Sequence, residues 1–175
     1  LEIKAPGMHN EVVVINAWSG EEISRFGGEQ PAWSPDGQML LIKTCQPGCG
    51  LWLANFDGGE ARQISFDGSD SYPTWSPTGH YLAFASVSRD DDWEIYLQAM
   101  NGYEPEGEPQ RLTHREGVDT SPAFSPDGRE VIMRTNAFGS WWITAMTLDG
   151  ENERKIVEGV GPSDDWGLAR PAVVR

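Results

Sequence analysis

Carboxylates beside tryptophan are the side chains of this sequence best suited to chemistry. Residues 90–93 read Asp-Asp-Asp-Trp, and residues 163–166 read Ser-Asp-Asp-Trp. Calcium binds six to eight oxygens, but neither stretch has the Asp-x-Asp-x-Asp-Gly spacing of a calcium loop. We therefore expect solvated acidic loops and no metal site.

Cys45 and Cys49 enclose a Gln-Pro-Gly turn. Such a turn brings two Cα atoms to within the separation of about 4.4–6.8 Å that a disulfide requires. Zinc is disfavoured, because two thiols supply half of a tetrahedral set and no other Cys or His is close in sequence. A disulfide would indicate a periplasmic or extracellular protein, and free thiols would indicate the cytoplasm.

Signatures of catalysis are missing from the sequence. It contains no Gly-x-Ser-x-Gly elbow, no His-Glu-x-x-His, no phosphate loop and no dinucleotide fingerprint. His9, His80 and His114 are far apart in sequence and lie in unlike parts of the repeats described below. We expect a protein that is not an enzyme and needs no cofactor.

The net charge of −14, from 27 acidic and 13 basic residues, repels phosphate backbones and disfavours nucleic acid as a partner. No apolar run approaches the roughly 18 residues of a membrane span, so no membrane insertion is predicted. A protein or peptide is the expected partner.

A seven-residue motif of the form Pro-x-Trp-Ser-Pro-Asp-Gly, here called the phrase, recurs along the chain. It begins at Pro31, Pro73 and Pro122, and a truncated copy begins at Pro171, with spacings of 42, 49 and 49 residues. Repeats of this length that are rich in turn residues predict an all-β fold, a β-propeller of four-stranded antiparallel blades. About four blades fit in the chain.

Strand-like runs and Asp-Gly or Asn-Gly hairpin turns follow each of the three full-length copies of the phrase. Aligning the turns on their glycines puts four large apolar residues in one column: Trp18, Phe56, Met100 and Leu148. Such a column is typical of the core between two blades. The tryptophans of the phrase, Trp33 and Trp75, are also predicted to be core residues.

We predict a single propeller domain or propeller segment over residues 1–175, with the innermost strand A of each blade near residues 31–35, 73–77, 122–126 and 171–174. Strands B to D of the fourth blade would come from residues 1–26. Both termini would then complete one sheet, with Pro171–Val174 beside Leu1–Lys4, and leave no open edge. The alternatives are a fragment of a larger ring and a ring built by a homodimer.

The repeats resemble those of the TolB-like propeller family, whose hallmark is this phrase followed by a Leu-x-Phe strand, here Leu82-Ala83-Phe84. The departures are Thr78 for Asp in the second copy and Phe124 for Trp in the third. The resemblance implies a non-catalytic binding or scaffold module of the cell envelope. The alternative is similarity to the accessory propeller of a larger enzyme, such as a prolyl-oligopeptidase-type peptidase or a polysaccharide lyase.

The connections at the two ends of the strands differ in character. The A-to-B and C-to-D turns are short and stereotyped, except for an acidic insert at residues 103–108. The B-to-C and D-to-A loops are irregular and carry aromatic residues beside polar ones, a combination that suits protein recognition. We expect a partner to bind these loops through Asp70, Asp91, Asp92, Trp93, His114, Asp119, Asp165 and Trp166.

Overall fold

The computed structural model describes residues 2–3 and 10–159, in which the regular structure is entirely β. No helix in these residues is long and apolar enough to cross a bilayer. Strands form where runs of β-branched and other apolar residues lie between Gly, Asp and Asn turns. In chain order they are β1 (Glu2–Ile3), β2 (Glu11–Ile15), β3 (Glu22–Gly27), β4 (Glu29–Trp33), β5 (Met39–Thr44), β6 (Gly50–Asn55), β7 (Ala61–Gln63), β8 (Ser71–Trp75), β9 (Tyr81–Ser86), β10 (Glu94–Asn101), β11 (Glu104–Arg111), β12 (Asp119–Phe124), β13 (Glu130–Thr135), β14 (Trp142–Thr147) and β15 (Arg154–Glu158).

Neighbouring strands pair in antiparallel sheets. Strands β4–β7, β8–β11 and β12–β15 form three four-stranded sheets, here named blades 1, 2 and 3. Strands β1–β3 form a three-stranded N-terminal sheet, which corresponds to strands B to D of a further blade. The predicted all-β fold with four-stranded propeller blades is confirmed. The predicted strand A at residues 171–174 lies outside the described residues, so closure of the last blade stays a prediction.

Strand A of each blade ends at the aromatic residue of the phrase, and the Ser-Pro-Asp-Gly part forms the turn to strand B. In blade 1, the Ser34 hydroxyl donates to Asp36 Oδ1 at 2.6 Å and accepts from the Met39 N–H at 2.9 Å. Ser125 makes the same two contacts in blade 3. The serine of the phrase therefore closes its own turn, as expected for a hydroxyl that competes for backbone groups.

Each strand A has a β-bulge at the residue before its proline. Gln30, Tyr72 and Ser121 have φ values of 56°, 54° and 53°, and the pairing register with strand B shifts at each of them. Positive φ is uncommon for residues other than glycine. Since a bulge inserts one residue into the pairing, it decides which side of the sheet the following aromatic residue occupies.

Three apolar clusters join the sheets. Between the N-terminal sheet and blade 1 lie Val12, Val14, Leu40 and Ile42. Between blades 1 and 2 lie Leu41, Leu51, Leu53, Trp75, Leu82, Phe84, Tyr96 and Met100, among others. Between blades 2 and 3 lie Ile95, Leu97, Leu112, Phe124, Val131, Met133 and Met146, among others. Blades 1 and 2 thus each bury both faces, one against the previous sheet and one against the next, as propeller blades do.

The predicted apolar column is wrong for Trp18, whose side chain is 96% exposed. The turn after β2 is one residue longer than the turn after β6, because the Gly20 N–H donates to Asn16 O whereas the Gly58 N–H donates to Asn55 O. Aligning on the glycines therefore shifts the first repeat by one residue and places Trp18 within the turn. The other three members pack against the clusters: Phe56, Met100 and Leu148.

The prediction of a core position is correct for Trp75, which is 7% exposed, and wrong for Trp33, which is 49% exposed. Ala32, in strand A of blade 1, packs against the cluster that contains Trp75. Within the described residues the N-terminal sheet has no strand A, so Trp33 has no equivalent neighbour. Its ring contacts Phe56, with the centroids 6.1 Å apart.

Candidate partner-binding face

The B-to-C and D-to-A connections lie at one end of the sheets, because successive connections of an antiparallel meander alternate between the two ends of its strands. This end is named the loop face. Its B-to-C loops are residues 45–49, 87–93 and 136–141, and its longer D-to-A loops are residues 64–70 and 112–118.

Asp70 anchors the loop face between blades 1 and 2. Its side chain is 0% exposed, and Arg89 donates to both carboxylate oxygens, Nε to Oδ1 at 3.2 Å and Nη2 to Oδ2 at 2.8 Å. The guanidinium also lies 5.7 Å from the Phe84 ring centroid and 5.5 Å from that of Tyr96. Bidentate pairing and ring contacts both favour a fixed arginine. Because it is buried, Asp70 positions Arg89 and offers no oxygen to a partner.

A hydroxyl network ties the same two loops together. Asp67 Oδ1 accepts from the Ser69 N–H at 2.8 Å, and Asp67 Oδ2 accepts from the Ser88 hydroxyl. The Ser88 N–H in turn donates to Ser69 Oγ at 3.1 Å. Burial acts to raise the pKa of Asp67, but the hydrogen bonds from Ser88 and Ser69 outweigh it and lower that pKa. Asp67 is therefore an ionised carboxylate that organises the loop.

The acidic run divides into three environments. Asp90 pairs with Arg111 at 3.0 Å, and Asp92 Oδ2 accepts from the Gly117 N–H at 2.7 Å. Asp91 is exposed. Since the three carboxylates diverge, they do not form one ligand set, and no group of three His, Cys, Asp or Glu residues suited to a metal ion occurs in residues 10–159.

Two buried carboxylates, those of Glu94 and Asp119, lie behind the D-to-A loop that joins blades 2 and 3. Glu94 accepts hydrogen bonds from Arg111 and Thr113, and Arg115 Nη2 donates to Asp119 Oδ1 at 3.2 Å. Burial raises the pKa of both carboxyl groups, and the hydrogen bonds offset only part of that effect. Asp119 is 0% exposed, so it fixes the loop and does not itself reach a partner.

Trp93 and His114 differ in how exposed their side chains are. Trp93 is half-buried against the cluster between blades 2 and 3, and its carbonyl accepts from the Asp119 N–H at 2.8 Å. His114 is exposed, as is Asp91. Among the described members of the predicted set, His114 and Asp91 are therefore exposed, while Asp92 and Trp93 are half-buried. The last two predicted residues, Asp165 and Trp166, lie outside the described residues.

Known proteins with the same repeat give the family. The sequence profile of the TolB beta propeller domain matches residues 29–161. The chain belongs to the TolB-type β-propeller family. The uncharacterized protein Atu1656 of Agrobacterium fabrum is 28% identical over 76% of this chain and 44% of its own length. A TolB homolog of Chlorobium chlorochromatii is 32% identical over 58% of this chain and 22% of its own length.

This TolB-type propeller spans less than half the length of these relatives. Among solved structures, TolB from Acinetobacter baumannii superposes with a TM-score of 0.73 at 18% identity, over 86% of this chain and 38% of its own. A puromycin-hydrolyzing peptidase of Mycobacterium tuberculosis superposes with a TM-score of 0.65 at 16% identity, over 90% of this chain and 29% of its own. Such identities show the fold alone, so function has to be argued from this propeller's own surface.

Two aromatic residues of the loop face were missed by sequence reasoning. Phe66, in the D-to-A loop between blades 1 and 2, is largely exposed. Phe138, in a B-to-C loop, lies 3.9 Å from Lys155 Nζ and 4.9 Å from the Arg115 guanidinium, measured from its ring centroid. An isolated phenylalanine in a loop has no periodic pattern. The one available signal was an apolar residue among polar loop residues.

Cys45 and Cys49 are bonded to each other in the B-to-C loop of blade 1, with an S–S distance of 2.02 Å. Their Cα atoms are 3.6 Å apart, closer than the range expected from the sequence. Both residues are exposed. Beside them lies a depression of about 380 Å³, whose lining includes Gly28 and Lys43.

Proposed function

We propose that this TolB-type propeller is a non-catalytic module that binds a protein or peptide partner through its loop face. The observation that carries the proposal is Phe66, whose side chain is 81% exposed on a loop otherwise fixed by hydrogen bonds and an ion pair. Aromatic side chains on pre-organised loops are typical anchors of protein interfaces, because little entropy is lost when they are buried.

The polar groups around the loops favour a partner of mixed polarity. The Arg89 side chain is partly exposed, while Asp91 and Glu116 are exposed acidic residues. A surface that combines an apolar anchor with both signs of charge suits a peptide or protein, and the overall charge of −14 still opposes nucleic acid.

A non-catalytic role is supported by how the carboxylates of this face are used. Asp70, Glu94 and Asp119 are each buried against an arginine, an arrangement that positions loops. The alternative is an accessory propeller of a peptidase or polysaccharide lyase. In that case the loop face would contact a catalytic domain of the same chain. The gene sequence on both sides of these residues separates the two proposals, because only the second requires a hydrolase or lyase domain in the same chain.

The site can be tested without a known partner by selecting peptides from a displayed library against the whole chain. For a selected peptide, Phe66→Ala should weaken binding by about 2 kcal/mol or more, as truncation of an interface anchor does. Trp93→Ala should weaken it as well. The matched control is Trp18→Ala, which removes another largely exposed aromatic side chain, from the opposite end of the sheets. Peptides whose affinity depends on Trp18 and not on Phe66 or Trp93 would contradict the proposal.

We also propose a periplasmic or extracellular location, supported by the bond between two exposed cysteines in the loop of blade 1. Unreduced, unfolded protein should take up no iodoacetamide, and reduced protein should take up two groups, as measured by mass spectrometry. Uptake of two groups without a reductant would instead favour the cytoplasm.

A further inference from the structure

A cleft lies at the end of the sheets opposite the loop face, between blades 1 and 2. It encloses about 390 Å³, and its lining includes Pro35, Asp36, Trp75, Thr78, His80 and Tyr103. We name it the Tyr103 cleft. We infer that the Tyr103 cleft binds a basic side chain, lysine or arginine, of an extended peptide, with the Asp36 carboxylate and the Tyr103 ring around the cation.

The carboxylate of the cleft carries a charge that nothing nearby balances. Asp36 Oδ1 accepts from the Ser34 hydroxyl at 2.6 Å, and Asp36 Oδ2 accepts from the Tyr103 hydroxyl. Hydrogen bonds from Ser34 and then Tyr103 lower the pKa of Asp36, so the group is ionised near neutral pH. Within residues 10–159 its partners are hydroxyls and a backbone N–H, with no ion pair to Asp36.

The aromatic walls suit a cation. Trp75 and Tyr103 meet edge to face, with centroids 6.4 Å apart and planes at 85°. The Tyr103 backbone is held in place by Arg62, whose Nη2 donates to Tyr103 O at 2.6 Å. Guanidinium and ammonium groups are attracted to aromatic faces, and more strongly when a carboxylate is in reach. A rigid ring pair beside an ionised carboxylate therefore selects positive charge.

The Trp75 indole is a buried reporter beside the cleft. Trp75 is 7% exposed, and its Nε1 has no surface open to solvent and makes no hydrogen bond within the described residues. A ligand therefore does not contact this N–H directly. Because the Trp75 ring meets the Tyr103 ring edge to face, a cation bound at Tyr103 should change the surroundings of the indole N–H.

The equivalent junction between blades 2 and 3 lacks all three features. Thr78 replaces the carboxylate of Asp36, Phe124 replaces the indole of Trp75, and Glu151 stands where Tyr103 does. The carboxylate that repeats the Asp36 turn, that of Asp127, already has Arg129 Nε at 3.9 Å. The repeat therefore does not require the chemistry of the Tyr103 cleft, because these three differences leave it at one of the two junctions.

The probes are capped tripeptides, acetyl-Ala-X-Ala-amide, with X as arginine, lysine or neutral glutamine. Binding is followed by the indole N–H cross-peak of Trp75 in ¹⁵N NMR spectra of the whole chain, assigned by its loss in Trp75→Phe. Arginine and lysine peptides should shift this cross-peak, and the glutamine peptide should bind at least about tenfold more weakly, the factor removed with one charge-assisted interaction. Added salt should weaken the charged peptides alone.

Matched variants test whether the Asp36 carboxylate is the group that binds the cation. Asp36→Asn should weaken the arginine peptide about tenfold, and Tyr103→Leu, which removes the ring, should weaken it as well. Asp127→Asn, which changes the same turn in blade 3, should leave binding unchanged. Absence of a Trp75 shift, equal binding of the glutamine peptide, or equal loss in Asp36→Asn and Asp127→Asn would each overturn the inference. None of these outcomes bears on Phe66, so the loop-face proposal is tested separately.

Discussion

A buried indole and a half-exposed one occupy equivalent positions of the repeat. Trp75 is surrounded by apolar residues of blades 1 and 2, including Leu53 and Phe84, whereas Trp33 has the N-terminal sheet on one side and solvent on the other. The same residue type in the same local turn therefore contributes different amounts to stability. The two tryptophans differ in the strand that packs against each of them, and the sequence of one repeat does not specify that neighbouring strand.

Alanine substitutions should reveal this difference. Trp75→Ala is expected to lower the free energy of unfolding by about 3–5 kcal/mol, as large-to-small changes in a core do. Trp33→Ala should cost about 1–2 kcal/mol, because roughly half of the ring is already in water. Urea denaturation of both variants measures the two losses. Equal losses would mean that Trp33 is covered in solution by a strand beyond the described residues.

The buried carboxyl group of Glu94 should make part of the stability depend on pH. Its pKa is raised by burial, against the opposing hydrogen bonds from Thr113 and Arg111, and the nearby Asp119 carboxylate raises it further. A group that holds its proton more firmly in the folded chain stabilises the fold at low pH, and this contribution is lost as the pH rises through its folded pKa.

Glu94→Gln removes this titration and keeps the shape of the side chain. We expect the free energy of unfolding of the unmodified protein, minus that of Glu94→Gln, to fall as the pH rises from about 4 to 7. Taking the difference removes the opposite contributions of Asp36 and Asp127, whose pKa values are lowered. A difference that grows with pH would show that Arg111 stabilises the ionised form more than burial disfavours it.

Among the elements, strand A and its turn were predictable because their information is local. The phrase contains the proline, the serine that closes the turn and the glycine that completes it, all within seven residues. The loops were not predictable in this way. Asp70 and Arg89 are 19 residues apart, in loops whose lengths differ from blade to blade, so no spacing in the sequence indicates that they pair. The Trp18 column failed for a similar reason, a turn longer by one residue.

The D-to-A loop between blades 2 and 3 depends on one glycine. Gly117 has φ +122°, its N–H donates to Asp92, and an added Cβ would lie 2.8 Å from Ala137 Cα. Gly139, in the neighbouring B-to-C loop, also has positive φ, but an added Cβ there would meet nothing within 4 Å.

Both Gly→Ala variants incur the backbone cost of positive φ, about 1–2 kcal/mol, and only Gly117→Ala adds a backbone clash. Gly117→Ala should therefore be the less stable variant, and it should increase hydrogen exchange in residues 112–118, where Gly139→Ala should not. Equal stabilities and exchange rates would show that the contact between Gly117 and Ala137 is not maintained in solution.

For the whole molecule, the strand that pairs with β1 decides how the sheets are completed. The N-terminal sheet has the order β1-β2-β3, so within the described residues the free edge of β1 is where strand A would pair. The fourth copy of the phrase supplies a candidate at Pro171–Val174. The chain also spans only 22–44% of the two curated relatives named above, which leaves room for a larger ring in a longer protein.

Cysteine pairs can separate these arrangements. In a background with Cys45 and Cys49 changed to serine, Ile3→Cys is combined in turn with Ala172→Cys, Val173→Cys or Val174→Cys, because the register is not fixed by the sequence. Side chains opposite each other on adjacent strands have Cβ atoms about 4.5–5.5 Å apart, close to what a disulfide needs, so pairing within one chain should oxidise at least one combination to a cross-linked monomer. Cross-linked dimers would instead indicate a ring shared by two chains. No cross-link in any combination would reject the closed four-bladed unit. It would favour a segment of a larger propeller, in which another strand covers the edge of β1, because an uncovered edge strand is prone to association.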